Sequence, residues 1–110
     1  MSQPFKAFRD VIIRTEDFAG AVRFYESVLG FPIAHKDESI VGFEAGAFRL
    51  YVEKGPAHGP VFDFRVPDLQ AAKRNLLSAG CKVIEENPSV PRCYIQDPHG
   101  LIFNIEQTET

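Results

Sequence analysis

Residues 11–33, VIIRTEDFAGAVRFYESVLGFPI, return about fifty positions later as residues 62–84, FDFRVPDLQAAKRNLLSAGCKVI. With one gap, Val11, Ile13, Arg14, Asp17, Phe18, Ala21 and Arg23 fall on Phe62, Phe64, Arg65, Asp68, Leu69, Ala72 and Arg74. Gly30 and Ile33 then fall on Gly80 and Val83. Such an echo sets architecture before any residue chemistry is weighed, because each copy is one supersecondary unit. In the first copy, residues 8–14 alternate, with Phe8, Val11 and Ile13 as the apolar positions of a strand. Asp17 is placed to cap a helix over residues 18–28, accepting backbone N–H groups that have no partner inside the helix. Phe18, Ala21, Val22, Tyr25, Val28 and Leu29 recur at helical spacing and predict one buried stripe. Gly30 ends the helix, and a second strand follows over residues 31–35.

Working outward, strands are expected near residues 39–44 and 47–53, separated by a turn at Ala45-Gly46. Residues 54–60, KGPAHGP, read as a linker. The second copy repeats the grammar: a strand over 61–66, a cap at Asp68, a helix over 69–79 and a terminator at Gly80. Strands near 82–86, 93–96 and 101–107 complete it. Asp97-Pro98-His99-Gly100 separates the last two, with Asp, Pro and Gly at the positions a type I turn favours. Each half therefore reads β-α-β-β-β. The expectation is a single α+β domain over 1–110, with one module at about 8–53 and another at about 61–107.

At 110 residues the chain buries roughly two-thirds of its unfolded surface on folding. A net charge of −3 and the lack of any Lys/Arg run argue against nucleic-acid binding. The opening MSQPFKAFRD has no basic segment followed by an apolar run, so no signal peptide is expected. Apolar runs fall far short of the ~20 residues that span a membrane. Cys81 and Cys93 stand alone, outside any CxxC pair, which suits small core residues in a reduced, cytoplasmic protein.

On these residues the chain resembles the vicinal oxygen chelate superfamily, which includes glyoxalase I, extradiol dioxygenases and bleomycin-resistance proteins. The matching stretches are Asp17-Phe18 leading into Arg23-Phe24-Tyr25 and Val28-Leu29-Gly30-Phe31, then Val66-Pro67-Asp68-Leu69 with Gly80, then Asp97-Pro98-His99-Gly100. The resemblance covers residues 8–107 and implies paired βαβββ modules whose curved mixed sheets surround a cleft. It also implies that a homodimer partner often completes that cleft.

Alternate strand residues share a face. Val11, Ile13, Leu50, Val52, Phe62, Phe64, Phe103 and Ile105 are expected to look toward the helices. The opposite face, which the resemblance assigns to the cleft, carries Asp10, Ile12, Arg14, Arg49, Tyr51 and Glu53 from the first module. From the second it carries Val61, Asp63, Arg65, Ile102, Asn104 and Glu106. Metal-using members of the superfamily hold their ion with four His, Glu or Gln side chains there. Matched by motif, those positions are Asp10, Val61, Asn104 and, within one residue, Tyr51. Valine cannot ligate, and one carboxylate with neutral tyrosine and asparagine oxygens is a poor divalent site. No metal and no cofactor are therefore expected. His35, His58 and His99 share no spacing that defines a site and read as surface or loop residues.

Asp10 and Asp63 invite an acid–base pair, against the plainer reading that Arg14, Arg49 or Arg65 neutralises them. Two functions compete. The first is a metal-free bleomycin-resistance-like protein that holds a drug-sized or polar small molecule in a homodimer cleft. Its candidate contacts are Asp10, Arg49, Tyr51, Asp63, Tyr94, Asn104 and Glu106, with Phe43 or Phe48 as further aromatic walls. The second is a metal-dependent lyase, isomerase or dioxygenase of the glyoxalase superfamily. Cys93, beside Tyr94, is a further candidate for the cleft face.

Overall fold

A computed structural model describes residues 3–108; residues 1, 2, 109 and 110, the ends of the range read as one domain, lie outside it. The elements run β1 (Lys6–Thr15), α1 (Phe18–Arg23), a π-helical segment (Phe24–Val28), β2 (Ile33–Lys36), β3 (Ile40–Glu44) and β4 (Arg49–Lys54). They continue with β5 (His58–Val66), α2 (Leu69–Ser78), β6 (Lys82–Asn87), β7 (Arg92–Gln96) and β8 (Ile102–Gln107). Among the described residues no helix is long and apolar enough to cross a membrane.

The chain divides into two compact units, Arg9–Pro60 and Val61 onward together with the residues up to Phe8. In the first, the strand order is β2-β3-β4-β1, with β1 parallel to β4 and the other pairs antiparallel. In the second, the order is β5-β8-β7-β6, again with one parallel pair, β5 and β8. The internal register follows the sequence echo. Val11 faces Leu50 and Ile13 faces Val52 in one unit, while Phe62 faces Phe103 and Phe64 faces Ile105 in the other. Each unit also has one irregularity at the same repeat position, between Ile33 and His35 and between Val83 and Glu85. The chain has the α+β tandem βαβββ architecture expected.

Each helix covers one sheet face. Ile13, Phe18, Ala21, Val22 and Tyr25 pack on buried Val41, Phe43, Leu50 and Val52. In the other unit, Phe64, Leu69, Leu76 and Val83 pack on Cys81, Cys93, Ile95, Phe103 and Ile105. Burying such side chains contributes roughly 1.5–3 kcal/mol each and is the main favourable term. Asp17 and Asp68 cap their helices as expected, accepting from Gly20 N and Ala71 N at 3.1 Å each.

The first helix departs from expectation in its second half. Leu29 N–H donates to Phe24 O, five residues back, so the segment is π-helical. A wider turn delays each later side chain around the axis. Val28 and Leu29, expected in the buried stripe, consequently swing out, and Val28 is 67% exposed. Phe31, after the φ +73° of Gly30, packs on the core instead. Phe62 also differs: it shares Phe64's strand parity yet is 38% exposed and lies outside the core cluster. Phe8 has the parity of Asp10, not of Val11, and its ring lies under the Arg65 guanidinium at 4.2 Å. The segment read as a linker ends early, since His58, Gly59 and Pro60 already belong to β5.

Candidate functional site

The side chains on the face away from the helices are best followed one unit at a time. In the first, Asp10 stands opposite Arg49, Ile12 opposite Tyr51 and Arg14 opposite Glu53 across the β1–β4 ladder. Arg14 Nε donates to Glu53 Oε1 at 2.9 Å. Arg49 reaches Glu44 Oε2 at 3.6 Å, while Arg9 binds both Glu44 and the Gly46 carbonyl. The Tyr51 hydroxyl, followed by Glu44 and Asp10, raises the Arg49 guanidinium above its ordinary value. Arg9 is the chief cause that holds the Glu44 carboxyl below its own.

Tyr51 has a seat that depends on glycine. Gly42 lies opposite it on β3, and a Cβ there would come within 2.7 Å of Tyr51 Cε1. An edge of the ring therefore packs against bare backbone. Arg49 Nε is buried and finds no acceptor among the described residues. A buried donor left without a partner costs about 1–3 kcal/mol, so it favours a ligand atom that accepts from it.

The second unit repeats the Arg–Glu pair and changes the rest. Arg65 stands opposite Glu106, with Nε–Oε2 at 2.7 Å, as Arg14 stands opposite Glu53. One step back, where the first unit has Ile12 and Tyr51, it has Asp63 and Asn104. Both are buried, at 4% and 5% exposure. Asp63 Oδ2 receives Arg65, at 3.2 Å from Nε and 3.1 Å from Nη2. Its Oδ1 receives Asn104 Nδ2 at 3.2 Å. Asn104 Oδ1 in turn accepts from Cys93 N at 2.9 Å. Buried polar groups held this way form a closed local network.

The expected site residues are divided between the two units. Asp10, Arg49 and Tyr51 share one face of the first unit, and Asp63, Tyr94, Asn104 and Glu106 share one face of the second. Asp63 is neutralised by Arg65, the plainer of the two readings for that carboxylate. Tyr94 is 2% exposed with the Arg92 guanidinium 5.1 Å from its ring centre, so its face is already occupied. Phe43 and Cys93 belong to the helix-side cores, not to the opposite face. Burial pushes the Cys93 thiol up, with Glu86 adding to the effect, and both cysteines are free and buried. His35 and His99 are exposed, whereas His58 is the half-buried first residue of β5, not a loop histidine. The paired Arg14–Glu53 and Arg65–Glu106 bridges are the part of the face missed from sequence. Their signal was the coincidence of both members in the two copies.

The four positions matched to the superfamily's metal ligands do not suit an ion. Val61 is 1% exposed and offers no donor atom. Asn104 uses its amide oxygen and nitrogen on Cys93 N and Asp63. The Tyr51 hydroxyl acts on the Arg49 guanidinium, and Asp10 lies opposite that same cation. A transition metal needs unencumbered N, O or S donors at fixed distance, and this set supplies one carboxylate. Among the described residues no three His, Cys, Asp or Glu side chains cluster as a metal would need.

Comparison with known proteins agrees with the fold. The glyoxalase-like domain family matches residues 10–106. No curated protein matches the sequence. Among solved structures, a glyoxalase/bleomycin resistance protein/dioxygenase superfamily member from Vibrio splendidus 12B01 superposes with a TM-score of 0.68 at 16% identity, over 94% of this chain and 100% of that one. Homoprotocatechuate 2,3-dioxygenase from Brevibacterium fuscum gives a TM-score of 0.69 at 21% identity, over 98% of this chain but 38% of the dioxygenase. A hypothetical protein from Bacillus halodurans C-125 gives 0.69 at 12% identity, over 96% of both chains. At these identities the structural likeness carries the fold alone. With the family pattern spanning nearly all of its length, the chain belongs to the glyoxalase-like domain family of the vicinal oxygen chelate superfamily.

Proposed function

We propose that this protein is a metal-free small-molecule binder of the glyoxalase/bleomycin-resistance type, which holds a drug-sized or polar ligand against the face that carries Asp10, Arg49 and Tyr51. The observation that carries this reading is the commitment of the ligand positions, with valine buried at one and the Asn104 amide spent at another. The Tyr51 ring seated on Gly42 offers an aromatic platform, and Arg49 Nε a donor in want of an acceptor. Asp10 supplies a charge for a cationic group. Sequestration of an antibiotic in the cytoplasm, by a homodimer, belongs to this proposal. Exposed Phe24, Val28 and Leu29 are apolar surface that a second copy would cover.

A thermal-shift screen tests it. A ligand at 100 times its Kd adds about 2.7 kcal/mol of stability, which raises Tm by about 10 °C in a domain of this size. We expect a hit among polycyclic, glycopeptide or thiol-conjugate compounds, weakened by Arg49→Ala and Asp10→Ala. A screen in which divalent cations alone stabilise the protein would favour the metal-dependent lyase, isomerase or dioxygenase instead.

A further inference from the structure

The second unit holds a cavity of about 610 Å³ at the open end of its sheet. This volume is in the range of pockets that bury drug-sized ligands, roughly 300–1,000 Å³. Its lining includes Cys93 and Ile105, members of the core beneath α2, and also Arg65, Arg92 and Glu106 from the opposite face, so it wraps the end of the sheet. Asp63, Tyr94 and Asn104 do not line it. One wall is the start of α2, another the ends of β5 and β8, and the third is the β6–β7 hairpin with Pro88 and Pro91. Proline has no N–H to pair, so this hairpin tip presents apolar rings to the cavity without backbone donors.

The charges on the walls balance: Arg65 and Arg92 against Glu86 and Glu106. Glu86 and Arg65 are engaged without being saturated. Lys73 Nζ binds Glu86 Oε1 at 2.8 Å and Oε2 at 2.6 Å, and the Cys93 thiol also faces this carboxylate. A carboxylate has about four acceptor sites, so Glu86 can take a further donor. Arg65 engages its partners through Nε and Nη2. A guanidinium has five N–H donors, which leaves the Nη1 pair to spend. A ligand with net charge would unbalance this wall and pay desolvation without compensation. A ligand carrying both signs on an apolar body would not.

We infer that this cavity is a second binding site, which takes a small zwitterion with an apolar body, of dipeptide size. Its ammonium lies toward Glu86 and its carboxylate toward Arg65 and Arg92, with apolar side chains against Pro88, Pro91 and Ile105. This goes beyond the proposed function, because it uses the end of the sheet in the other unit. It stands or falls independently of any ligand at Tyr51.

The test is an amide NMR titration of the full chain with the dipeptide Leu-Phe, its N-acetyl form and its C-terminal amide. At about 10 mM, ten times a Kd of 1 mM (−4.1 kcal/mol), Leu-Phe should shift the amides of Gln70, Glu86, Arg92, Cys93 and Gln107 and leave those of Gly42 and Tyr51 in place. Each blocked form should bind at least tenfold more weakly. Glu86→Gln should abolish the preference for a free ammonium, and Arg92→Ala that for a free carboxylate, with the remaining spectrum confirming the fold of each variant. No shift at these amides would overturn the inference. Equal binding of all three probes would also overturn it, as would unchanged preferences in both variants.

Discussion

Asn104→Ala removes the middle of the chain of contacts from Asp63 to the β7 backbone. Two hydrogen bonds go, Cys93 N to Oδ1 at 2.9 Å and Nδ2 to Asp63 Oδ1 at 3.2 Å. All three residues are buried, so water does not simply replace the lost partner. A buried group left unsatisfied costs about 1–3 kcal/mol. Asp63 keeps Arg65 and belongs at the low end, near 1 kcal/mol. The Cys93 N–H loses its acceptor and belongs nearer 2 kcal/mol. The sum, about 3 kcal/mol, lowers Tm by about 12 °C in a chain of this length. Asn104→Asp separates bonding from packing. It keeps the volume and the acceptor for Cys93 N but places a second carboxylate where Asp63 now finds a donor, so like charges face each other. We expect it to destabilise at least as much as alanine at pH 7. Urea unfolding, read as a midpoint shift with an unchanged slope, measures both. If Asn104→Ala falls within 0.5 kcal/mol of the parent, or Asn104→Asp is the milder, the network does not hold this face together.

Gly42→Ala should cost about 1–3 kcal/mol through overpacking, because its Cβ meets the Tyr51 ring at 2.7 Å. In a Tyr51→Ala background the same change should be nearly neutral, and an equal cost in both backgrounds by urea unfolding refutes the seat. The Glu44 carboxyl is held below its ordinary value of 4.5, chiefly by Arg9. A depressed folded pKa contributes stability that is present above the unfolded value and lost as pH falls through the folded one. Glu44→Gln should therefore be less stable than the parent at neutral pH, with the difference closing below 4.5. Paired urea midpoints at neutral and acid pH check it, and a difference that grows on acidification would mean the sign is wrong.

Much of the scaffold was legible because backbone chemistry is local. Asp17 and Asp68 announce their helices by a side chain that satisfies orphan N–H groups, and Gly30 and Gly80 end them at positive φ. Side-chain parity also transferred, since a period of two leaves little choice once one face is buried. What escaped was set by details the pattern does not encode. The π-helical turn after Arg23 changes the angular step, so a stripe counted at 3.6 residues per turn misplaced Val28 and Leu29. Asp10, Arg49, Tyr51, Asp63, Asn104 and Glu106 take the side expected, whereas Phe43 and Cys93 lie in the helix-side cores, and the bonds of the face are not legible from the pattern. The pattern offers Tyr94 as a stacking surface, yet Arg92 two residues away on the same face covers it. Arg14 and Arg65 are visible as repeat partners with Glu53 and Glu106 on the same face, while the pairing of each with its carboxylate follows from the parallel β1–β4 and β5–β8 registers. Asn104 shows the limit most clearly: its position came from the repeat, and its role from two contacts across neighbouring strands.

The central claim is that the superfamily's ion-holding positions have been given over to packing and hydrogen bonding. Elemental analysis of protein purified without chelator, by inductively coupled plasma mass spectrometry, addresses it directly. The account predicts far less than stoichiometric Zn, Ni, Mn or Fe, with no change on Asp10→Ala. About one equivalent of a single metal per chain, lost in Asp10→Ala or Asn104→Ala, contradicts it.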